Sequence, residues 1–175
     1  MNWIFRKVMQ IYVHGKNRRK GTEMNGLYAY FAYGSNLMPD RLLQRCPTAV
    51  PYAPAILPNY RLTERLYADV DFTPRAKVHG FVYLLRAQDV ARLDRYEGYP
   101  HFYYKKELTL PIKGIRTGIV RNKKAFVYIM HEERELGIPS LYYVKTCING
   151  YRSFGFDEKH IFDAIEISRR SAYEN

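Results

Sequence analysis

Apolar and polar positions follow two different periods along this chain, and the period of two residues marks the strands. An apolar and aromatic run over residues 27–33 stops at Gly34 and has the length of one buried strand. Apolar residues occupy both faces of segment 77–85, which predicts a central strand of a sheet. We expect further strands near 102–112 and 123–130.

The helical period appears in four other segments, and the two patterns together predict the fold class. We expect helices over residues 39–45, 88–96, 140–150 and 157–169. Ser140 is a suitable N-cap for the third helix. Residues 48–72 carry several prolines between short apolar runs, which predicts irregular strands and loops. Regular βαβ alternation is missing. The order therefore predicts an α+β fold with a small mixed, mostly antiparallel β-barrel and flanking helices.

Composition supports one folded domain preceded by a basic segment. The 175 residues suffice for a single hydrophobic core, and the 17 tyrosines and nine phenylalanines suit half-buried strands and an apolar pocket. Residues 1–25 are predicted to be a mobile N-terminal extension, or a short amphipathic arm, and residues 26–175 the folded domain. Six cations and Glu23 give the first 23 residues a charge of 6 − 1 = +5, which leaves 11 − 5 = +6 for residues 24–175.

The charge and the cysteine content narrow the class of partner. A charge of +6 on the body suits solubility or an anionic substrate, so nucleic acid is not the favoured partner and would bind through the arm. The chain has two cysteines, Cys46 and Cys147, too few for a disulfide framework. Cys147 is expected to be a small buried apolar residue. Because no apolar run of membrane-spanning length exists, we expect no membrane partner and a cytoplasmic protein.

The first segment whose residues are suited to binding a ligand is Tyr33-Gly34-Ser35-Asn36-Leu37, between a predicted strand and a predicted helix. Glycine permits a tight turn and the close approach of a ligand. Successive backbone N–H groups at such a turn form a concavity that binds anions, and Ser35 and Asn36 add side-chain donors. The same residue types are common in ordinary turns and helix caps. The spacing alone leaves both interpretations open.

The second segment centres on Glu97. On a helical wheel Val90, Leu93 and Glu97 share one narrow face, so the carboxylate is directed where core residues point. Glu97 also lies at the helix C-terminus, where the macrodipole disfavours a negative charge. Both placements raise the pKa of a carboxyl group, and nearby aromatic residues lower the local dielectric constant. A proton-transfer role follows for Glu97.

Several alternatives to this chemistry can be weighed on the sequence. Glu97 could instead face solvent or pair with Arg95 or Lys105, and Asp94 is a weaker candidate for its role. His131-Glu132-Glu133 matches the H-x-E start of a zinc deaminase, but no P-C-x-x-C motif follows. Phosphate-loop and dinucleotide fingerprints are missing as well. We therefore predict no metal site.

The order of the motifs resembles the γ-glutamylcyclotransferase-like family, which includes γ-glutamylamine cyclotransferases and AIG2-like proteins. The matching segments follow one another in family order and cover roughly residues 27–165. They are Tyr33-Gly34-Ser35-Asn36-Leu37, Val78-His79-Gly80-Phe81-Val82-Tyr83, Leu93-Asp94-x-Tyr96-Glu97-Gly98, Pro100-x-x-Tyr103-x-Lys105 and Pro139-Ser140-x-x-Tyr143-x-x-x-Cys147-x-x-Gly150.

The resemblance implies a function. It implies that Glu97 is the general acid/base, and that Tyr33 to Leu37, with Tyr103 and Tyr143, bind a γ-glutamyl amide or peptide. The α-amine of the substrate would attack its own γ-carbonyl and release 5-oxoproline without a cofactor. The alternative is a non-catalytic small-anion-binding or interaction protein on the same fold.

Three departures from the family pattern concern substrate choice more than the type of reaction. Cys147 replaces an aliphatic residue, Tyr151 stands where a small residue is common, and residues 1–25 have no counterpart. We expect the amine leaving group to be selected by loops near 58–75 and 113–122. Neither the leaving group nor the oligomeric state follows from the sequence.

Overall fold

Five strands close into a barrel within residues 27–114 and 118–173, the part of the chain that the computed structural model describes. The strands run in the order β1-β3-β2-β4-β5 around the barrel, and all neighbours are antiparallel except the closing pair of β1 and β5. The predicted mixed, mostly antiparallel barrel is thus confirmed. Their bounds are β1 Leu27–Ala32, β2 Val50–Glu64, β3 Ala68–Arg86, β4 Tyr103–Lys113 and β5 Val120–Met130.

The four predicted helices are present. They are α1 Pro39–Arg45, α2 Ala87–Glu97, α3 Leu141–Phe154 and α4 Lys159–Tyr173, and a 3₁₀ turn covers Ser35–Leu37. Ser140 is the N-cap of α3, as predicted, because its Oγ accepts the Tyr143 N–H at 3.3 Å. The helix continues past Gly150, where the sequence predicted its end. Gly150 is needed instead for close packing, because a Cβ there would lie 3.2 Å from the Leu37 Cβ.

The irregular strands predicted over 48–72 are present, with two register shifts in β2, but the prediction of loops there is largely wrong. Here β2 and β3 form one long antiparallel hairpin, so the segment near 58–75 that we expected to be a selecting loop is largely strand as well. The register shifts after Pro51 and after Pro58 accommodate two of the three prolines of this strand. The other edge of β2 pairs with β4, with Ala55 opposite Ile112. Because this pairing is short, few backbone N–H groups of β2 are needed as donors on that edge.

The predicted central strand is confirmed, since β3 lies between β1 and β2. Ala32 at the end of β1 is opposite Phe81. Gly80 allows this close approach, because a Cβ there would lie 2.4 Å from both the Ala32 carbonyl oxygen and the Phe31 ring. The end of β1, from which the 33–37 segment departs, is therefore held tightly against β3.

The interior of the barrel and the faces of the helices that cover it form one core. Its largest fully buried side chains are Phe31, Leu37, Leu42, Leu57, Phe81, Tyr83, Leu85, Leu93, Leu110, Met130, Tyr151 and Ile161. Cys147 is a buried free thiol, as predicted. Tyr151 is fully buried and does not line the cavity described below.

A buried ion-pair network fixes the tip of the β2–β3 hairpin. The Arg65 guanidinium pairs with Asp69 at 2.9 Å and with Asp71 at 3.0 Å. Asp69 also accepts the backbone N–H of Met130 at 2.8 Å, which ties the hairpin to β5. Because these groups are hydrogen-bonded, the backbone between Arg65 and Asp69 is held in place beside the end of β1.

Glu64 is a second buried acid at the end of β2. Its backbone N–H and C=O both bond to the Ser168 hydroxyl of α4, at 3.2 and 2.6 Å. Its carboxyl oxygens have no hydrogen-bond partner among the described residues. Burial, and then the charge of Asp69, raise the pKa of Glu64 to about 8.

Two predictions concern segments that lie partly or wholly outside the described residues. The extension 1–25 is outside them, as is part of the 113–122 segment. No helix within the described ranges has the length and apolar character that crossing a bilayer requires.

Candidate functional site

Glu97 is the last residue of α2, and the helix phase directs its carboxylate into the molecule. Gly98 ends the helix in the left-handed conformation with φ 64°, and its carbonyl accepts the Phe102 N–H at 2.8 Å. The Glu97 Oε1 accepts a hydrogen bond from the Asn36 Nδ2 at 2.6 Å. The two segments that were singled out in the sequence thus meet at one contact.

Lys105, one of the alternative partners of Glu97, makes another contact. Lys105 pairs with Asp94 at 2.9 Å, and the Tyr128 hydroxyl donates to the other oxygen of Asp94 at 2.6 Å. Asp94 is thereby engaged on both oxygens, whereas Glu97 bonds to a neutral amide. Of the two carboxylates in this segment, Glu97 is the one that lines the cavity.

The environment of Glu97 favours its protonated form. Burial raises the pKa of Glu97 to about 7, although the hydrogen bond from Asn36 and the positive charge of Arg45 act in the opposite direction. A carboxyl group with a pKa near neutrality is ionised in part of the molecules and protonated in the rest at neutral pH. Such a group can both accept and donate a proton.

The 33–37 segment directs its polar side chains to the cavity and its leucine to the core. The Ser35 and Asn36 side chains are buried at the cavity, while Leu37 is fully buried in the core and does not line it. The Leu37 N–H donates to the Gly34 carbonyl at 2.9 Å and is thus already bonded. The backbone N–H groups of Ser35 and Asn36 have no acceptor among the described residues, which leaves them for a ligand.

Three tyrosines predicted to bind substrate converge on the backbone of Ala68. The Tyr143 hydroxyl accepts the Ala68 N–H at 3.0 Å, and the Tyr103 hydroxyl donates to the Ala68 carbonyl at 3.0 Å. The Tyr33 hydroxyl donates to the Tyr128 carbonyl at 2.7 Å and lies 3.5 Å from the Ala68 carbonyl. These hydroxyls therefore fix the hairpin as one wall of the cavity.

The cavity consists of two neighbouring chambers, whose walls share Ser35, Glu97, Tyr103 and Tyr143. The outer chamber has a volume of about 310 Å³. It is lined by Ser35, Tyr67, Tyr96, Glu97, Gly98, Phe102, Tyr103 and Tyr143. The inner chamber measures about 30 Å³. It is lined by Tyr30, Tyr33, Gly34, Ser35, Asn36, Ala68, Glu97, Tyr103, Tyr128 and Tyr143.

Arg45, at the end of α1, is a site residue that the sequence did not reveal. Its guanidinium donates to the Asn36 Oδ1 and, at 2.5 Å, to the Tyr96 hydroxyl. The guanidinium carbon also lies 3.6 Å from the centre of the Tyr96 ring. Tyr30, which accepts from the Asn36 Nδ2 at 2.9 Å, was missed as well. The Arg45–Tyr96 contact joins segments 51 residues apart. Tyr30 and Arg45 lie only six and nine residues from Asn36, but the turn between them follows no periodic pattern that would signal these contacts.

The wall of the outer chamber is aromatic. Tyr67 and Phe102 pack edge to face with ring centres 6.2 Å apart, and Tyr67 packs likewise on Tyr143 at 5.1 Å. The Arg134 guanidinium lies 4.0 Å over the Phe102 ring. Tyr99 is not part of this wall, because its ring is exposed, with its centre 4.3 Å from the Lys105 Nζ.

One group of possible metal ligands is found among the described residues, away from the cavity. The ligand atoms of His131, Glu132 and Glu133 lie within 4.8 Å of one another at the surface. Two of the three side chains already have partners, because Tyr104 donates to Glu132 at 2.6 Å and the His131 ring contacts the Pro100 carbonyl at 2.7 Å. These contacts explain the positions of both side chains without an ion.

The sequence matches a protein-family model over the region that forms this site. The family is described as gamma-glutamyl cyclotransferase, AIG2-like, and the match covers residues 30–145. It includes the 33–37 segment, Glu97, Tyr103 and Tyr143. A gamma-glutamylcyclotransferase from Bos taurus is 32% identical over 83 residues, which are 41% of this chain and 44% of the bovine protein. The matched segment thus spans less than half of that relative.

Solved structures share the fold at low sequence identity. A gamma-glutamyl cyclotransferase superposes with a TM-score of 0.66 at 23% identity, over 79% of this chain and 86% of the other. A yeast gamma-glutamyl cyclotransferase specific to glutathione gives a TM-score of 0.55 at 10% identity, over 84% of this chain and 97% of the other. At these identities the likeness concerns the fold.

Proposed function

Because the chain belongs to the gamma-glutamyl cyclotransferase, AIG2-like family, we propose that it releases 5-oxoproline from a γ-glutamyl amide or peptide, with Glu97 as the general acid/base. The observation that carries this proposal is the Glu97 carboxyl group, which lines both chambers and has its pKa raised to about 7. This position lets one group exchange protons with a substrate that extends into both chambers.

The first step is ring closure. In the proposed reaction Glu97 removes a proton from the α-amine of the substrate, and the amine nitrogen attacks the γ-carbonyl carbon to form a five-membered ring. Nucleophile and electrophile belong to the same molecule, so holding the reactive conformation supplies much of the rate enhancement. No water is consumed, and the atoms balance without a co-reactant.

The oxygen of the γ-carbonyl gains negative charge during this step. The free N–H groups of Ser35 and Asn36 are suited to bind that oxyanion or the α-carboxylate of the substrate. The inner chamber, at about 30 Å³, has room for one or two small polar groups of this kind. Gly34, Ala68 and Tyr143 delimit that space.

The second step is loss of the amine. The bond between the γ-carbonyl carbon and the departing nitrogen breaks, and Glu97 returns its proton to that nitrogen. The amine-bearing remainder occupies the outer chamber, whose 310 Å³ and aromatic wall suit a group with an apolar portion. Tyr67, Tyr96 and Phe102 are then the residues that contact the leaving group.

The proposal is tested by measuring 5-oxoproline release from a panel of γ-glutamyl amides and γ-glutamyl peptides. Glu97→Gln keeps the shape of the side chain and should abolish release while the thermal transition stays within a few degrees of the wild type. Glu107→Gln is the matched control, because Glu107 is exposed on β4 and pairs with Lys124 at the surface. Full activity of Glu97→Gln would exclude the assigned role. A wild type that binds a γ-glutamyl compound but never forms 5-oxoproline would favour the non-catalytic alternative.

A further inference from the structure

We infer that Arg45 is a positioning residue for Glu97, acting through the side-chain amide of Asn36 and through the Tyr96 ring. The inference rests on the proposed role of Glu97. Arg45 does not line either chamber, so it does not touch the substrate in this arrangement. Its guanidinium instead contacts the residue that bonds to Glu97 and the residue that precedes Glu97 in the chain.

The first effect of Arg45 is on the orientation of the Asn36 amide. An arginine side chain is a donor only, so its contact with Asn36 selects the carbonyl oxygen of the amide. The amide nitrogen is then directed to the other side, where it donates to Glu97 at 2.6 Å and contacts the Tyr30 hydroxyl at 2.9 Å. Without Arg45 the amide could rotate and place its oxygen against the carboxylate. Arg45 therefore keeps a donor facing Glu97.

The second effect is on the strength of that hydrogen bond. A charged donor on the amide oxygen polarises the amide, which makes its N–H groups better donors. The positive charge of Arg45 also lowers the pKa of Glu97 directly, in opposition to burial. Both effects stabilise the ionised carboxylate that serves as the base. The two effects keep part of the Glu97 carboxyl groups ionised at neutral pH, although burial favours the protonated form.

The third effect is on the end of α2. The Arg45 guanidinium stacks on Tyr96 and bonds to its hydroxyl, so α1 holds the last turn of α2 from the outside. Tyr96 and Glu97 are adjacent, and the position of one limits the other. Arg45 also lies 3.5 Å from the Ser35 Oγ, which extends the same support to the loop.

Other titratable groups near Glu97 do not supply this positive charge. Tyr30 of β1, Tyr103 of β4, Tyr128 of β5 and Cys46 at the end of α1 are the others whose titration is coupled to Glu97. Burial raises the pKa of each of these four groups, so each is neutral near pH 7. Among the described residues, Arg45 is the cation whose charge acts on the pKa of Glu97.

The inference predicts a change in the titration of Glu97 that can be measured without substrate. Glutamate labelled with ¹³C at the carboxyl carbon would be incorporated, and the Glu97 signal assigned by its loss in Glu97→Gln. Arg45→Met should raise the pKa of Glu97 by about half a unit to one unit. Arg45→Lys keeps the charge and should show a smaller increase than Arg45→Met.

Arg41→Met is the matched control, because Arg41 lies one turn earlier on α1 and contacts the exposed Tyr142 instead. It should leave the Glu97 titration unchanged. In activity assays the acid limb of kcat/KM should move to higher pH in Arg45→Met by the same amount as the NMR titration. At pH 6 this shift corresponds to a loss of about three- to tenfold, with recovery at high pH.

The outcomes separate the inference from the proposed function. An unchanged Glu97 titration in folded Arg45→Met, or an equal shift in Arg41→Met, overturns the inference whether or not the protein forms 5-oxoproline. A shifted titration in a protein without 5-oxoproline release supports the coupling and removes the proposed function. If Arg45→Met does not fold, Arg45→Lys provides the same comparison, and a titration identical to that of the wild type overturns the role of the planar guanidinium.

Discussion

The Asn36 side-chain amide lies 2.6 Å from the Glu97 carboxylate, although 61 residues separate them in the sequence. Asn36 belongs to the turn after β1, and Glu97 is the final residue of α2. The contact joins the segment that offers free backbone N–H groups to the segment that offers a carboxyl group. A substrate held by one segment is therefore within reach of the other.

Replacing Asn36 should impair the base. Asn36→Ala removes the donor that stabilises ionised Glu97, so the pKa of Glu97 should rise further above its ordinary value. We expect kcat/KM for 5-oxoproline formation at pH 7 to fall by about ten- to a hundredfold, the effect of losing one hydrogen bond to a charged group. Asn122→Ala on the exposed part of β5 should keep full activity. An acid limb at unchanged pH in Asn36→Ala would contradict this role of the hydrogen bond.

The pH dependence of catalysis should show the titration of Glu97. The pKa of the group is about 7, so the base is protonated and lost as pH falls through that value. We expect kcat/KM to decrease about tenfold per unit below pH 6. Asp94→Asn tests the assignment, because Asp94 lines neither chamber and pairs with Lys105 and Tyr128. Its acid limb should stay near pH 7. Loss of the acid limb of kcat/KM in Asp94→Asn would mean that Asp94, and not Glu97, is the base.

Local sequence patterns were sufficient to predict most helices and strands, and to predict that Glu97 points into the molecule. The helix phase of Val90 and Leu93 already directs Glu97 inward, and α2 ends at Glu97, one residue beyond the predicted segment. The prolines of 48–72 misled the prediction, since a proline signals a break only where the ladder needs its N–H. In β2 the register shifts remove that need at Pro51 and Pro58.

The remainder of the site depends on contacts between distant segments. Nothing near Arg45 in the sequence shows that it faces Tyr96, because α1 follows β1, α2 follows β3, and the two helices become neighbours only when these strands pair. Ala68 is chemically inconspicuous and contributes through its backbone to Tyr103 and Tyr143. Such roles become visible only with the fold.

The buried Glu64 should make stability depend on pH. Its folded pKa of about 8 lies above the ordinary value of 4.5, so ionisation is disfavoured in the native state. The part of the unfolding free energy that depends on the Glu64 proton is fully present below pH 4.5 and is lost as pH rises toward 8. Glu64→Gln should therefore gain on the order of 2–4 kcal/mol in unfolding free energy relative to the wild type between pH 5 and pH 9.

Urea unfolding at the two pH values measures this difference. Glu166→Gln is the control, because the hydrogen bonds of Arg169 and Arg170 lower the pKa of Glu166 to about 2. Glu166 is therefore ionised in both states across this range, and its variant should show no gain between pH 5 and pH 9. A Glu64→Gln gain that is independent of pH would mean that Glu64 does not titrate in this window.

Gly34 should control the inner chamber through its size. Its φ of −105° lies outside the left-handed region that favours glycine, so the space around it is the feature to test. The added Cβ would lie 3.0 Å from the Ala68 Cβ and 3.1 Å from the Tyr143 hydroxyl, which reduces the space for a carboxylate or carbonyl oxygen. We expect kcat/KM to fall at least about tenfold with a small change in melting temperature.

Gly155→Ala provides the converse of this substitution. Gly155 ends α3 with φ 70°, and a Cβ there meets no atom within 4 Å. Alanine in the left-handed conformation should cost about 1 kcal/mol of stability and leave kcat/KM unchanged. Activity measured beside thermal unfolding distinguishes the two effects. If Gly34→Ala lost stability in proportion to its activity, as a general packing defect would, the inner chamber would have no separate part in binding the substrate.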